Sequence, residues 1–299
     1  MPWARAAKKP RVVATTPSRD QILALMREQF GVIRTKEPGT RLGTNPEELH
    51  KMRAAVRRLR AILGAVRDMF DPEWLDGLRS ELDWLGTVLG GLRDLDVLRE
   101  YLRKELASLK PAARVVGDNL LDLVDAQRVR AQHRILAALD GERYVKLLAR
   151  LEKAVHRPKV VATDISLPAV AASQFKKLRK AVKALRKDPN DDDLHAVRLR
   201  VKRARYAAEL AQPIVGRPAE RFVARTKKLQ DILGEYQDAV VAEGRLRSLV
   251  DDDDRRSPVG LLTSRLVKLQ RARRQAAQMD FFEQWPKLER RGHKAWKRR

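Results

Sequence analysis

Residues 49–63 read LHKMRAAVRRLRAIL, and residues 194–208 read LHAVRLRVKRARYAA. Moving the second stretch back from 194 to 49 superposes Leu49/Leu194, His50/His195, Arg53/Arg198, Val56/Val201, Arg58/Arg203 and Arg60/Arg205, with Arg57 opposite Lys202. On a helical wheel of about 100° per residue with His50 at zero, Arg53, Arg57 and Arg60 fall within about 80° of it. Met52, Val56, Leu59 and Leu63 form the adjoining apolar face. In the second copy His195, Arg198, Lys202 and Arg205 form the cationic row, Leu194, Val197, Val201 and Ala208 the apolar one, and Tyr206 stands beside the row. Each stretch therefore predicts a helix that packs along one stripe and concentrates cation along the next. The row extends about 15 Å at about 1.5 Å per residue.

Such a row is costly. Like charges three and four residues apart each destabilise a helix by a few tenths of a kcal/mol. No acidic residue within 49–63 or 194–208 relieves them. A single basic helix of this kind is ordinarily a solvated face. Two of them, both opening on histidine at the same phase, point to a shared groove for a polyanion. Arginine is also the side chain whose planar fork suits phosphate oxygens.

Working outward, a second repeat supports the first. LGGLRDLDV (89–97) aligns with LGEYQDAVV (233–241), placing Leu89 with Leu233, Gly90 with Gly234, Asp94 with Asp238 and Val97 with Val241. No stretch reads as a strand. Helical periodicity begins near Ser18 and runs to about Arg34, and KEPGTRLGTNP (36–46) reads as a loop. Asn45-Pro46-Glu47-Glu48 is a helix start with cap, proline and acids in order. Gly90-Gly91 predicts a kink or interruption, and Pro213 and Pro218 bracket a turn. The expected architecture is all-α: two tandem four-helix-type bundles related by an internal pseudo-twofold repeat. Its expected divisions are a flexible basic tail at 1–17, a first bundle at 18–156, a linker at 157–168 and a second bundle at 169–299.

Composition narrows the partners. The 299 residues carry 64 Lys and Arg against 39 Asp and Glu, a formal net charge of +25. So large an excess attracts nucleic acid, anionic membrane or free polyphosphate. Aromatic residues at 5% disfavour base stacking. With no cysteine, disulfides, thiolate metal sites and cysteine nucleophiles are excluded. No apolar run is long enough to span a membrane, and the N-terminus lacks the apolar core of a secretory signal. A cytoplasmic location is expected.

The chemistry-bearing residues point to binding rather than turnover. The 5 histidines form no metal-spaced pair, and neighbouring arginines should depress the pKa of His50 and His195, leaving them as donors to phosphate. Asp94 with Asp96, and Asp231 with Asp238, suggest acid pairs for a divalent cation, but capping or pairing with Arg93 and Lys228 is the stronger explanation. No phosphate-cradling glycine loop, nucleophile elbow or HExxH motif occurs. No cofactor or metal is expected.

LHKMRAAVRRLRAIL followed by LGGLRDLDVL, repeated as LHAVRLRVKRARYAAEL followed by KKLQDILGEYQDAV, closely resembles the CHAD family, the conserved histidine α-helical domain. The resemblance covers about residues 18–297. It implies two helical bundles about a basic groove or pore that binds inorganic polyphosphate. By that likeness His50, Arg53, Arg57, Arg60, His195, Arg198, Lys202, Arg205 and Tyr206 line the groove, joined by Lys228 of KKLQD. Family members often follow a triphosphate-hydrolysing CYTH-type domain. Its ExExK-type strand motif is absent here, so the chain resembles a stand-alone member.

The leading expectation is a non-catalytic polyphosphate-binding module, which would meet its ligand on polyphosphate granules. A nucleic-acid-binding helical protein is the alternative, with weak non-specific nucleic-acid binding as its lesser form. Against it, the stripe helices open on Glu47-Glu48 and Asp191-Asp192-Asp193, which meet phosphate badly at that end. An enzyme of polyphosphate metabolism is the third reading, and no metal-carboxylate cluster supports it.

Overall fold

The computed structural model describes residues 19–107, 111–161, 165–250 and 256–296. The basic tail expected at 1–17, the cap expected at Ser18 and most of the loop expected at DDDDRRSP lie outside the described residues. Among the described residues the chain forms α1 (Arg19–Leu42), α2 (Pro46–Ala65), a short 3₁₀ turn at Arg67–Met69, α3 (Pro72–Ala107), α4 (Pro111–Asp140) and α5 (Glu142–His156). Four more helices follow: α6 (Leu167–Lys183), α7 (Asp191–Val215), α8 (Arg217–Arg247) and α9 (Pro258–Ala295). No strand occurs among them. A lone β-bridge joins Phe70 to Val160. The fold is all-α, as the periodicity requires.

The two stripe helices begin where their caps dictate. The Asn45 side chain accepts from the Glu47 N–H at the start of α2. Asn190 and Asp193 exchange side-chain and backbone bonds in a capping box at the start of α7. The apolar stripes bury as the wheel requires: Met52, Leu59, Leu63 and Val201 are each 0% exposed.

Three local expectations are corrected. The loop expected at 36–46 is helical as far as Leu42, through Pro38. Tertiary bonds hold this extra turn: the Gln132 amide donates to the carbonyls of Thr40 and Arg41, and Arg41 donates to Glu37 and to the Leu139 carbonyl. The helix ends at Gly43, whose φ of 68° supplies the left-handed residue after the last turn. The Gly90-Gly91 pair does not break α3, which is continuous over 36 residues. The turn expected between Pro213 and Pro218 shrinks to Gly216, at φ 72°, because α7 runs through Pro213 to Val215.

Two apolar clusters hold the helices. The larger begins in α1–α5 and takes in Leu167 of α6, Leu210 of α7, Leu246 of α8 and Leu266 of α9. The smaller joins Phe175, Val201, Phe222, Leu233 and Phe281. Between α5 and α6 the chain is strapped to the 3₁₀ turn, the Val161 N–H donating to the Met69 carbonyl at 2.8 Å. For the site, the decisive contacts are α2 on α7 and α3 on α8, with α3 behind α2 and α8 behind α7. Packing the apolar stripes of α2 and α7 against this frame turns their cationic rows toward one another.

Candidate functional site: a basic cavity between two arginine rows

A cavity of about 860 Å³ opens between α2, α3, α6 and α7. Arg53, Arg57 and Arg60 enter it from α2. His195, Arg198, Lys202 and Tyr206 enter from α7. The structure thus brings together seven of the ten residues expected at the site. The other three do not line the cavity. His50 sits beyond its end, near Arg93, Arg57 and Arg53. Arg205 turns aside to Glu209 at 3.0 Å and to the Tyr206 ring, its guanidinium 5.0 Å from the centroid. Lys228 is exposed on α8, on the side of Glu283 of α9. Arg60, the counterpart of Arg205 in α2, pairs with Asp83 at the cavity, whereas Arg205 pairs with Glu209 on its own helix.

Cations from other elements complete the lining. Arg79 comes from α3, Arg67 from the 3₁₀ turn, Lys177 from α6, and Arg200 and Arg203 from α7. Ten Lys and Arg side chains thereby meet two carboxylates, Asp83 and Asp94. These two, both from α3, supply the partial relief missing from the stripe helices themselves. Arg60 lies 2.6 Å from Asp83, and Arg53 lies 3.7 Å from Asp94. Asp94, expected to cap a helix or to pair with Arg93, instead makes a cross-helix ion pair with Arg53.

Two glycines of α3, Gly86 and Gly90, lie at the bed of the cavity. A methyl group built on Gly90 would meet the Arg53 guanidinium at 3.5 Å, and one on Gly86 would meet Arg60 at 3.8 Å. The two glycines are one turn apart, so the side chains of Arg53 and Arg60 lie nearly flat on the α3 backbone. A single helical glycine costs about 1 kcal/mol relative to alanine. Both distances are ordinary van der Waals contacts, so an alanine would also fit beneath the guanidinium groups.

The electrostatics of the cavity are those of cations crowded out of water. Burial lowers the pKa of Arg53 and of Arg198, opposed by Asp94 and Asp238 respectively. Burial, then Arg93, also lowers that of His50, in the direction expected from its neighbours. Lys202 is brought down to about 7, first by burial and then by Arg198, Arg57 and Arg53. Burial raises the Asp94 carboxyl. Tyr206 is the one aromatic residue among the lining side chains; its hydroxyl accepts from Arg57 Nε at 3.4 Å. The His195 ring contacts Gln237 instead of an acid, Nδ1 lying 2.7 Å from Oε1. Among the described residues no group of three or more His, Cys, Asp or Glu side chains is placed to hold a metal, and no helix is long and apolar enough to cross a membrane.

An all-α frame carrying paired histidine–arginine helices around a basic cavity defines a recognisable class of protein. The chain belongs to the CHAD domain family, whose sequence model matches residues 24–247. It is similar to two uncharacterized proteins of Mycobacterium tuberculosis, from strains CDC 1551 / Oshkosh and ATCC 25618 / H37Rv. Each is 32% identical over 211 residues, covering 67% of this chain and 40% of the relative. The chain thus spans about two fifths of the length of these relatives. Its fold is similar to that of PptA from Streptomyces chartreusis, with a TM-score of 0.74 at 22% identity over 90% of this chain and 99% of that one. It is also similar to the CHAD domain from the plant Ricinus communis, with a TM-score of 0.69 at 23% identity over 95% and 97% of the two chains.

Proposed function

We propose that the protein binds inorganic polyphosphate, without turning it over, in the cavity between α2 and α7. The observation that carries this reading is the lining itself: ten cationic side chains against two carboxylates, drawn from four helices and a turn around one opening. In this reading Arg53, Arg57, Arg198 and Lys202 neutralise successive phosphates while Arg60, Arg79 and Arg203 receive the chain as it leaves. Release of condensed counterions drives binding. His195 donates at the mouth, and Lys228 acts from outside by charge alone. The setting that follows is the cytoplasm, where polyphosphate granules would supply the ligand.

The geometry favours a bare phosphate chain over nucleic acid. The cationic faces of α2 and α7 are turned toward each other, so neither helix presents its row to a DNA groove. A single strand would ask for stacking platforms, and Tyr206 is 5% exposed. Turnover would ask for a metal or a general acid–base pair, and the cavity's carboxylates are engaged with Arg53 and Arg60.

The test compares long-chain polyphosphate, pyrophosphate and single-stranded DNA at one salt concentration. Polyphosphate should bind tightest, and Arg53→Glu with Arg198→Glu should abolish its binding while the circular dichroism spectrum stays helical. DNA binding as tight as polyphosphate, or unchanged affinity in the double variant, would sink the reading.

A further inference from the structure

The two arginine rows are alike except at one position inside the cavity. Arg57 of α2 has Lys202 of α7 as its counterpart. The difference matters because a guanidinium keeps its proton under all ordinary conditions, whereas a lysine gives it up when surroundings oppose the charge. Lys202 is set where they do. It is half-buried, with Arg198 facing it from its own helix and Arg53 and Arg57 facing it from α2. From α8, Asp238 is the acid that acts on it, and that group ranks behind all three arginines. Asp94 of α3 lines the same cavity but is engaged with Arg53, and Lys177 of α6 adds a further cation. Lys202 has no salt-bridge or hydrogen-bond partner among the described residues.

We propose that Lys202 makes polyanion binding at this cavity proton-linked, its amine taking up a proton when a phosphate chain enters. This rests on the polyphosphate reading and adds its regulation. The physical chain is short. In the empty cavity three guanidinium groups and partial burial oppose a fourth charge, and the amine titrates near pH 7. A phosphate chain brings negative charge to the same space, reverses the local potential and restores the ammonium. Binding therefore consumes a proton wherever the empty cavity lacks one, so affinity falls as pH rises through that range. With a midpoint of about 7 in the empty protein and an ordinary lysine in the complex, the loss from pH 6 to pH 9 is about ninetyfold. Below pH 6 the linkage vanishes because the amine is already charged. His50, outside the cavity, is lowered by burial and then by Arg93, and the ring of His195 is paired with Gln237.

Isothermal titration calorimetry tests this directly. Long-chain polyphosphate is titrated into the full chain between pH 6 and 9, in paired buffers of different ionisation enthalpy. The interior phosphates of a long chain stay ionised throughout, so the titration reports the protein. The wild type should take up close to one proton at pH 8 and lose affinity by about fiftyfold between pH 7 and pH 9. Lys202→Arg should show neither the uptake nor the decline, because its charge is permanent. Lys202→Met should also be flat, at an affinity about 25-fold below that of the wild type at pH 9, because the wild-type complex still holds the lysine proton there. A Lys202→Arg variant that keeps the wild-type pH dependence overturns the proposal and assigns the proton elsewhere. Wild-type binding without proton uptake overturns it equally. Failure of the wild type to bind polyphosphate at any pH is a different result, and overturns the reading of the cavity itself.

Discussion

The salt dependence of binding can be worked out from the cavity lining. Four of the ten lining cations have a carboxylate within ion-pair distance: Arg53 on Asp94, Arg60 on Asp83, and both Arg67 and Arg79 on Asp76. Arg57, Lys177, Arg198, Arg200, Lys202 and Arg203 have none among the described residues. A linear polyanion releases counterions as these six unrelieved charges replace them. With the single-strand coefficient of about 0.7 per contact, the slope of log K against log salt should be close to −4. Between 50 and 200 mM salt the affinity should then drop by roughly 250-fold. Arg57→Ala with Arg198→Ala should make the slope shallower by about 1.4, whereas Arg53→Ala, which removes a charge already relieved by Asp94, should change it less. The assay is a titration of long-chain polyphosphate across sodium chloride concentrations at pH 6, where Lys202 is charged. A wild-type slope shallower than about −2, or a slope unmoved by the double substitution, would show that the polyanion is held somewhere other than this cavity.

Other outcomes follow from the same geometry. Polyphosphate at about 100 times Kd should stabilise the protein by about 2.7 kcal/mol, read as a rise in Tm, and the Arg53→Glu/Arg198→Glu variant should lose that rise. Asp94→Asn should tighten polyphosphate binding severalfold by releasing Arg53 from its internal partner; weaker binding would instead make Asp94 the group that positions Arg53. Lys202→Met should stabilise the unliganded protein at pH 7 on the order of 1 kcal/mol once solvent screening is allowed for. Its pKa is lowered on folding, so the destabilisation is complete below about 7 and fades as pH rises toward the unfolded lysine value; denaturant melts of both proteins at pH 7 and pH 10 should converge at the higher pH. Gly90→Ala meets nothing closer than 3.5 Å and should raise stability by about 0.5–1 kcal/mol, while Gly292→Ala would press a methyl group within 2.2 Å of the Phe175 ring and should cost about 1–3 kcal/mol in the same melts.

The sequence revealed most where one helix decides the outcome by itself. The stripes of α2 and α7, their caps and their buried faces were legible because helical period and cap chemistry are local. What failed depended on other helices. The extra turn of α1 through Pro38 is held by Gln132, 92 positions from Thr40, and no local preference announces it. Asp83 and Arg79 went unread because they reach the cavity from α3, and Lys177 because it reaches it from α6. Asp94 was read as a cap or a partner of Arg93, and its cross-helix partner Arg53 depends on how α2 packs on α3. Arg205 and Lys228 were placed by pattern alone. Pairing with Glu209 on its own helix holds the first away from the cavity, and position on α8 leaves the second outside it.

The placement of charge also explains why such a cavity survives in a folded protein. Each cationic row adjoins an apolar stripe that is fully buried, so α2 and α7 cannot turn their arginines to solvent without withdrawing Met52, Leu59, Leu63 and Val201 from the core. Hydrophobic packing thus holds the cations together against their repulsion. The frame gives back only part of that cost, through Asp76, Asp83 and Asp94. Complete neutralisation by further acids would remove the attraction for a polyanion, and no relief at all would load the whole repulsion on the core. Partial relief leaves six cations to be satisfied from outside, and one of them, Lys202, is able to discharge until that happens.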